Sequence, residues 1–171
     1  MSKKSALNVK NLILCAIIIV GLVLTIIGFF GNFTKGDGVL KDVDKTLSGL
    51  AKSNKDLIKD LGDDYKLEGF AAISIFAWVT FFLAIATAVL FVIVKFLGLK
   101  NQSSVLALVG CATVVAAVLL FVFSLIMVGK WADRAELIAV LGNNARVSAG
   151  PILMLVGGLL AGGAAAASAK V

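Results

Sequence analysis

Histidine is absent from this chain of 171 residues, and only two cysteines occur. Without histidine or a cysteine cluster, a zinc, haem or iron–sulfur centre has almost no ligands to be built from. Cys15 and Cys111 fall inside apolar runs, so the hydrophilic segments have no disulfide framework, and the two thiols read as small buried apolar groups. Those runs also lack ionisable side chains: no Asp, Glu, Arg or His lies within them, and Lys95 stands only at an end. Proton- and sodium-driven carriers use intramembrane ionisable residues for coupling, so the chain alone does not read as one. Missing too are a nucleophile beside an activating base, paired carboxylates in an apolar setting and a phosphate-binding glycine loop. Asp63, Asp64 and Glu68 lie close together but lack the ligand spacing of a dedicated calcium loop. The expectation is a protein that is not an enzyme and holds neither cofactor nor metal.

What is present is apolar. At 60% hydrophobic residues and a mean hydropathy of +1.05, the composition lies far outside that of water-soluble domains. A hydrocarbon core of ~30 Å takes roughly 20 helical residues to cross. Four runs are long enough: 11–30, 69–94, 104–128 and 147–169. With no water to satisfy the backbone inside lipid, each must be helical, which predicts an all-α membrane protein, a four-transmembrane-helix bundle forming a single tetraspan domain. Lys3, Lys4 and Lys10 precede the first run as they would in a signal peptide, but no small-x-small site closes it near Gly31, so it reads as a retained span.

Small residues mark where helices can approach. Gly21 and Gly28 are two turns apart on the first run, and Thr80, Ala84 and Ala88 recur every four residues on the second. The fourth run is extreme, with Gly157, Gly158, Ala161, Gly162 and Ala165 and a Gly-x-x-x-Gly step from Gly158 to Gly162. So thin a helix is a poor surface to leave against lipid. Its cover is either the other helices of the same chain or a second subunit.

The one long hydrophilic segment is 32–68, which holds more than half of all charged side chains. Apolar residues recur within it at Val39, Val43, Leu47, Leu50, Leu57, Leu61 and Tyr65, the spacing of a one-sided helical stripe. Asp37 or Gly38 could cap such a helix, and Gly62 could end it. An unbroken helix from Val39 to Leu61 would be ~35 Å long. A hairpin broken at 51–54 competes, because Asn54 falls on the stripe and Gly49 sits just before it. The later segment 132–141 reads as a short helical extension of the third run. Asn32, Phe33 and Thr34 match a glycosylation triplet, taken as chance at the membrane edge.

Four spans place both termini on one side, together with Lys3, Lys4, Lys10, Lys95, Lys100 and Lys170 and no acid, which accounts for the net charge of +6. The loop side holds more Lys and Arg by raw count, interleaved with as many acids. The positive-inside rule then predicts a cytoplasmic (plasma) membrane protein with cytoplasmic termini and an extracytoplasmic amphipathic helical loop. The flanking lysines have anionic lipid headgroups as adequate partners, so no nucleic acid is expected. In architecture the layout resembles tetraspan families such as claudins, although the Gly-Leu-Trp and paired-cysteine signature of their first outer loop is absent. Two functional expectations follow. One is a structural or interaction subunit, a homo-oligomer or part of a larger membrane complex, associating through its small-residue helices. The other is a pore-forming subunit or an accessory subunit of a transporter.

Overall fold

The computed structural model describes residues 9–35, 45–61, 69–97, 102–137 and 146–169. Almost all of them are helical. Four long apolar helices dominate: α1 (Val9–Phe30), α3 (Phe70–Phe96), α4 (Ser103–Leu137) and α5 (Ala149–Ala169), with a shorter polar helix α2 (Leu47–Leu61) between the first two. By length and composition all four can cross a membrane, the part of α4 that qualifies being Ser103–Lys130, and the chain is on that ground a multi-pass membrane protein. At 1.5 Å per residue the 35-residue α4 is ~52 Å long, well beyond the ~30 Å of a hydrocarbon core.

The apolar helices pack in the cyclic order α1, α5, α4, α3, and α5 also touches α3 across the centre. The reason is thickness. Half of α5's most apolar window is buried, against 28–33% in the other three helices, because its glycines and alanines let neighbours close in from two sides. On α3 the buried positions are Ile73, Ala77, Thr80, Ala84, Thr87, Phe91 and Val94. On α4 they include Leu106, Gly110, Thr113, Ala117, Leu120, Ser124 and Met127. Both series alternate steps of four and three, the heptad spacing of helices that cross at about +20° and coil left-handed. The outward positions carry Ile19, Val23, Ile75, Phe82, Val115, Leu125 and Leu159, all large, apolar and exposed.

At the end where the connections are long, three short strands lie on the helices: β1 (Asn32–Lys35), β2 (Lys45–Thr46) and β3 (Arg146–Val147), in the order β2-β1-β3 and antiparallel throughout. Ser148 N–H adds a bond to the Phe33 carbonyl at 3.1 Å. The sheet ties the segment after α1 to the segment before α5. It also seats Phe33, 1% exposed, in the core beneath, and buries Thr34 of the glycosylation triplet.

Helix α2 starts at Leu47, not Val39, because Lys45 and Thr46 are extended in β2. Thr46 is the residue that caps it: its Oγ1 accepts the Gly49 N–H at 3.3 Å and pairs with Ser48 Oγ at 3.1 Å. The helix continues unbroken through 51–54, so the hairpin does not form. Asp37, Gly38, Val39, Val43, Gly62, Asp63, Asp64, Tyr65 and Glu68 lie outside the described residues.

Candidate functional site

The small residues of α5 serve two different neighbours. A Cβ at Gly157 would stand 2.5 Å from both the Gly21 carbonyl oxygen and Thr25 Oγ1, and one at Gly28 would stand 2.6 Å from the Gly150 carbonyl. Gly21, Gly28, Gly150 and Gly157 therefore form a backbone-to-backbone seam between α1 and α5. On the other side Gly158 meets Ala117, and Gly162 meets the Gly110 carbonyl, forming a second seam with α4. Ala161 and Ala165 are fully buried, Ala161 against Gly21 and Ala165 against Gly110. The Gly158–Gly162 step is thus occupied within the chain.

On α3, Ala84 is fully buried, whereas Ala88 is only half-buried and packs at the edge of the cluster around Ile18, Phe91 and Leu106. Steps of four residues drift around a 3.6-residue helix, so the inward line passes from Ala84 to Thr87 instead. Cys15 is half-buried, and Cys111 is exposed on the outer face of α4 rather than buried.

Among the described residues the buried polar side chains are all hydroxyls. Thr113 Oγ1 donates to the Val109 carbonyl at 2.8 Å, so its single proton is spent and Thr87 must be the donor in the 2.9 Å bond between the two threonines. Thr25, Ser124 and Ser168 bond to carbonyls of their own helices. Thr80 Oγ1 is the buried side-chain oxygen with no partner among the described residues. This distinction is testable in detergent unfolding. Thr87→Val should lose roughly 0.6 kcal/mol, and at most about 1.7, the range of interhelical hydrogen bonds in membranes. Thr80→Val, of the same shape, should be neutral or stabilising because it removes an orphaned hydroxyl. Equal losses at the two sites would show that the bond across α3 and α4 contributes nothing. At the opposite end from the sheet, Lys95 Nζ donates to the Ser168 carbonyl at 2.7 Å, capping α5 with the last turn of α3.

Of the stripe expected on 32–68, Leu47 is 8% exposed and Leu50 0%, in a cluster with Phe29, Phe33, Ile73, Leu120, Met127 and Met154. Leu57 and Leu61 belong to the last two turns of α2, but their side chains lie outside the described set. Ser48, Ala51, Lys52, Lys55, Asp56 and Lys59 are exposed. Between this helix and the apolar ones runs a groove of ≈ 470 Å³. Phe29 and Phe30 of α1 and Ser74 and Trp78 of α3 form its floor; Thr46, Leu47, Ser48 and Ala51 form its upper wall. Ring contacts stiffen that floor, with Phe29 at 4.7 Å from Trp78 and 4.6 Å from Phe81, and Trp78 stacked on Phe82 at 5.6 Å. The groove offers apolar surface and three hydroxyls with no titratable group among them, so it is equipped to bind rather than to catalyse. Among the described residues no three of His, Cys, Asp and Glu are grouped to hold a metal.

Sequence reading missed this groove, since its lining comes from three separated segments. The aromatic cluster at Phe29 and Phe30, and Thr46 as a β-branched cap before a leucine, were the available signals. No protein-family model, curated protein or solved structure matches the chain.

Proposed function

We propose that this chain is a non-enzymatic subunit of a membrane assembly. Its four long helices cross the bilayer as a bundle, its termini are cytoplasmic, and α2 is an amphipathic helix held on the outer side. The observation that carries the reading is the use of α5: both of its glycine seams are filled by α1 and α4 of the same chain. Small-residue packing builds the protomer, and association with a copy or a partner falls to the surfaces left over. These are the outward apolar helix faces and the polar face of α2 that presents Lys52, Lys55 and Lys59. The uncompensated lysines beside the termini support the orientation.

The test combines mass with leak. The particle purified in mild detergent and in nanodiscs should contain more than one copy or a tightly held partner, and liposomes bearing it should stay sealed to ions and small dyes. A strictly single-chain particle in both media would overturn the assembly role. Dye or ion leakage would replace it with a pore built between copies.

A further inference from the structure

We infer that the groove between α1, α2 and α3 is a lipid site that takes one acyl chain of an anionic phospholipid, with the headgroup on the lysines of α2. This rests on the membrane reading given above. The groove opens onto apolar surface that the membrane must cover: Phe30, at the end of α1, is 68% exposed and Trp78 46%, and Ile27, Ile75 and Phe82 continue the same exposed face. Over the aromatic floor formed by Phe29, Phe30 and Trp78, water would find few of the two to four polar partners it needs, the hydroxyls of Thr46, Ser48 and Ser74 being the side-chain ones in the lining, whereas a hydrocarbon chain needs none. The volume is within the ~300–1,000 Å³ of small-ligand sites.

Headgroup charge follows from the helical wheel. At about 100° per residue, Lys52, Lys55 and Lys59 all fall within about 40° of Ser48, which lines the groove, and Lys55 lies angularly between Ser48 and Ala51. Asp56 points about 80° away from Ser48. The hydroxyls of Thr46 and Ser48 stand at the boundary between the apolar recess and this cationic face, and the one whose proton is not spent in their 3.1 Å contact can donate to a phosphate.

The chain has only two tryptophans, Trp78 and Trp131. With Trp131→Phe, Trp78 becomes the sole reporter, and acyl-brominated lipid quenches it on contact. The protein is reconstituted in phosphatidylcholine vesicles containing either dibrominated phosphatidylglycerol or dibrominated phosphatidylcholine at equal mole fraction. Phosphatidylglycerol should bind the Trp78 site at least about five-fold better, the ratio expected for the ~1 kcal/mol that a single lysine contributes at a membrane surface. Lys52→Gln with Lys55→Gln should abolish that preference while leaving quenching by phosphatidylcholine unchanged. Equal quenching by the two lipids overturns the headgroup assignment. Absence of quenching by either overturns the site, since a second copy or a partner seated on the groove would shield Trp78. Should Trp131→Phe not fold, the difference in quenching between the parent protein and Trp78→Phe reads the same position. Bilayer crossing is checked separately by protease protection of the vesicles, so a soluble or peripheral chain is distinguished from a spanning one that lacks the lipid site.

Discussion

Gly157→Ala is expected to lower the unfolding midpoint sharply, while Gly163→Ala, six residues further along the same helix, leaves it unchanged or raises it. A single methyl group separates the two outcomes. At position 157 the added Cβ would fall 2.5 Å from the Gly21 carbonyl oxygen, 2.5 Å from Thr25 Oγ1 and 2.7 Å from the Thr25 nitrogen. Two of those atoms are backbone and cannot turn aside, so α1 and α5 must separate. Separation also loosens the contacts at Gly21, Gly28 and Gly150, because all four glycines belong to one seam. Overpacking of this kind costs about 1–3 kcal/mol and occasionally more, exceeding the up to ~1 kcal/mol that alanine gains over glycine in a helix. At Gly163 no atom of another described residue beyond its own helix backbone lies within 4 Å of the added Cβ, so only the propensity gain remains. Thermal unfolding in detergent, or steric trapping in bicelles, measures both. Equal midpoints for the two variants would mean that the α1–α5 seam is not as close as described.

Leu50→Ser should release α2 from the apolar helices, whereas Lys55→Ser should not. Leu50 is 0% exposed and packs with Phe29, Phe33, Ile73 and Met127. Removing a buried leucine side chain costs about 2–5 kcal/mol, and the new hydroxyl would be buried with no assured partner. Taken alone, α2 has 15 residues, near the ~12–15 at which isolated helices are marginal in water, so most of its order comes from docking. Amide exchange across 47–61 should accelerate strongly, and trypsin should cut after Lys52, Lys55 or Lys59, while the four long helices stay folded. Exchange in Leu50→Ser as slow as in the parent would show that contacts other than this leucine hold the helix.

The long helices were legible because crossing a membrane is a demand on composition, met locally by each run with no help from the rest of the chain. The ends were less legible. The third run was expected to leave the membrane at 128 with 132–141 as a short helical extension; α4 does continue through the charged residues Lys130, Asp133, Arg134 and Glu136, as one helix to Leu137. Thr46 caps α2 although the segment begins with an equally plausible Asp37 and Gly38, because pairing of Lys45 and Thr46 with β1 makes Thr46 the first residue free to turn. Strands of two residues carry no periodicity that a sequence could display. The aromatic groove was illegible for a related reason: Phe29, Ser48 and Trp78 meet only after three elements have folded.

Alone, then, the order of residues decides that four segments seek an apolar solvent, that no ionisable group or metal-ligand cluster enters them, and that one helix is thin enough to be approached from two sides. Those are properties of single segments, governed by hydrophobicity, helix length and side-chain size. Which neighbours fill the two sides of α5 is decided by tertiary structure, because Gly157 answers Gly21 and Gly162 answers Gly110 only when α1 and α4 flank it together. The place of α2 is decided in the same way. Its leucines require cover of some kind, and the cover becomes Phe29, Phe33, Ile73 and Met127 once the β1 pairings draw the end of α1, the start of α2 and the start of α5 to one point.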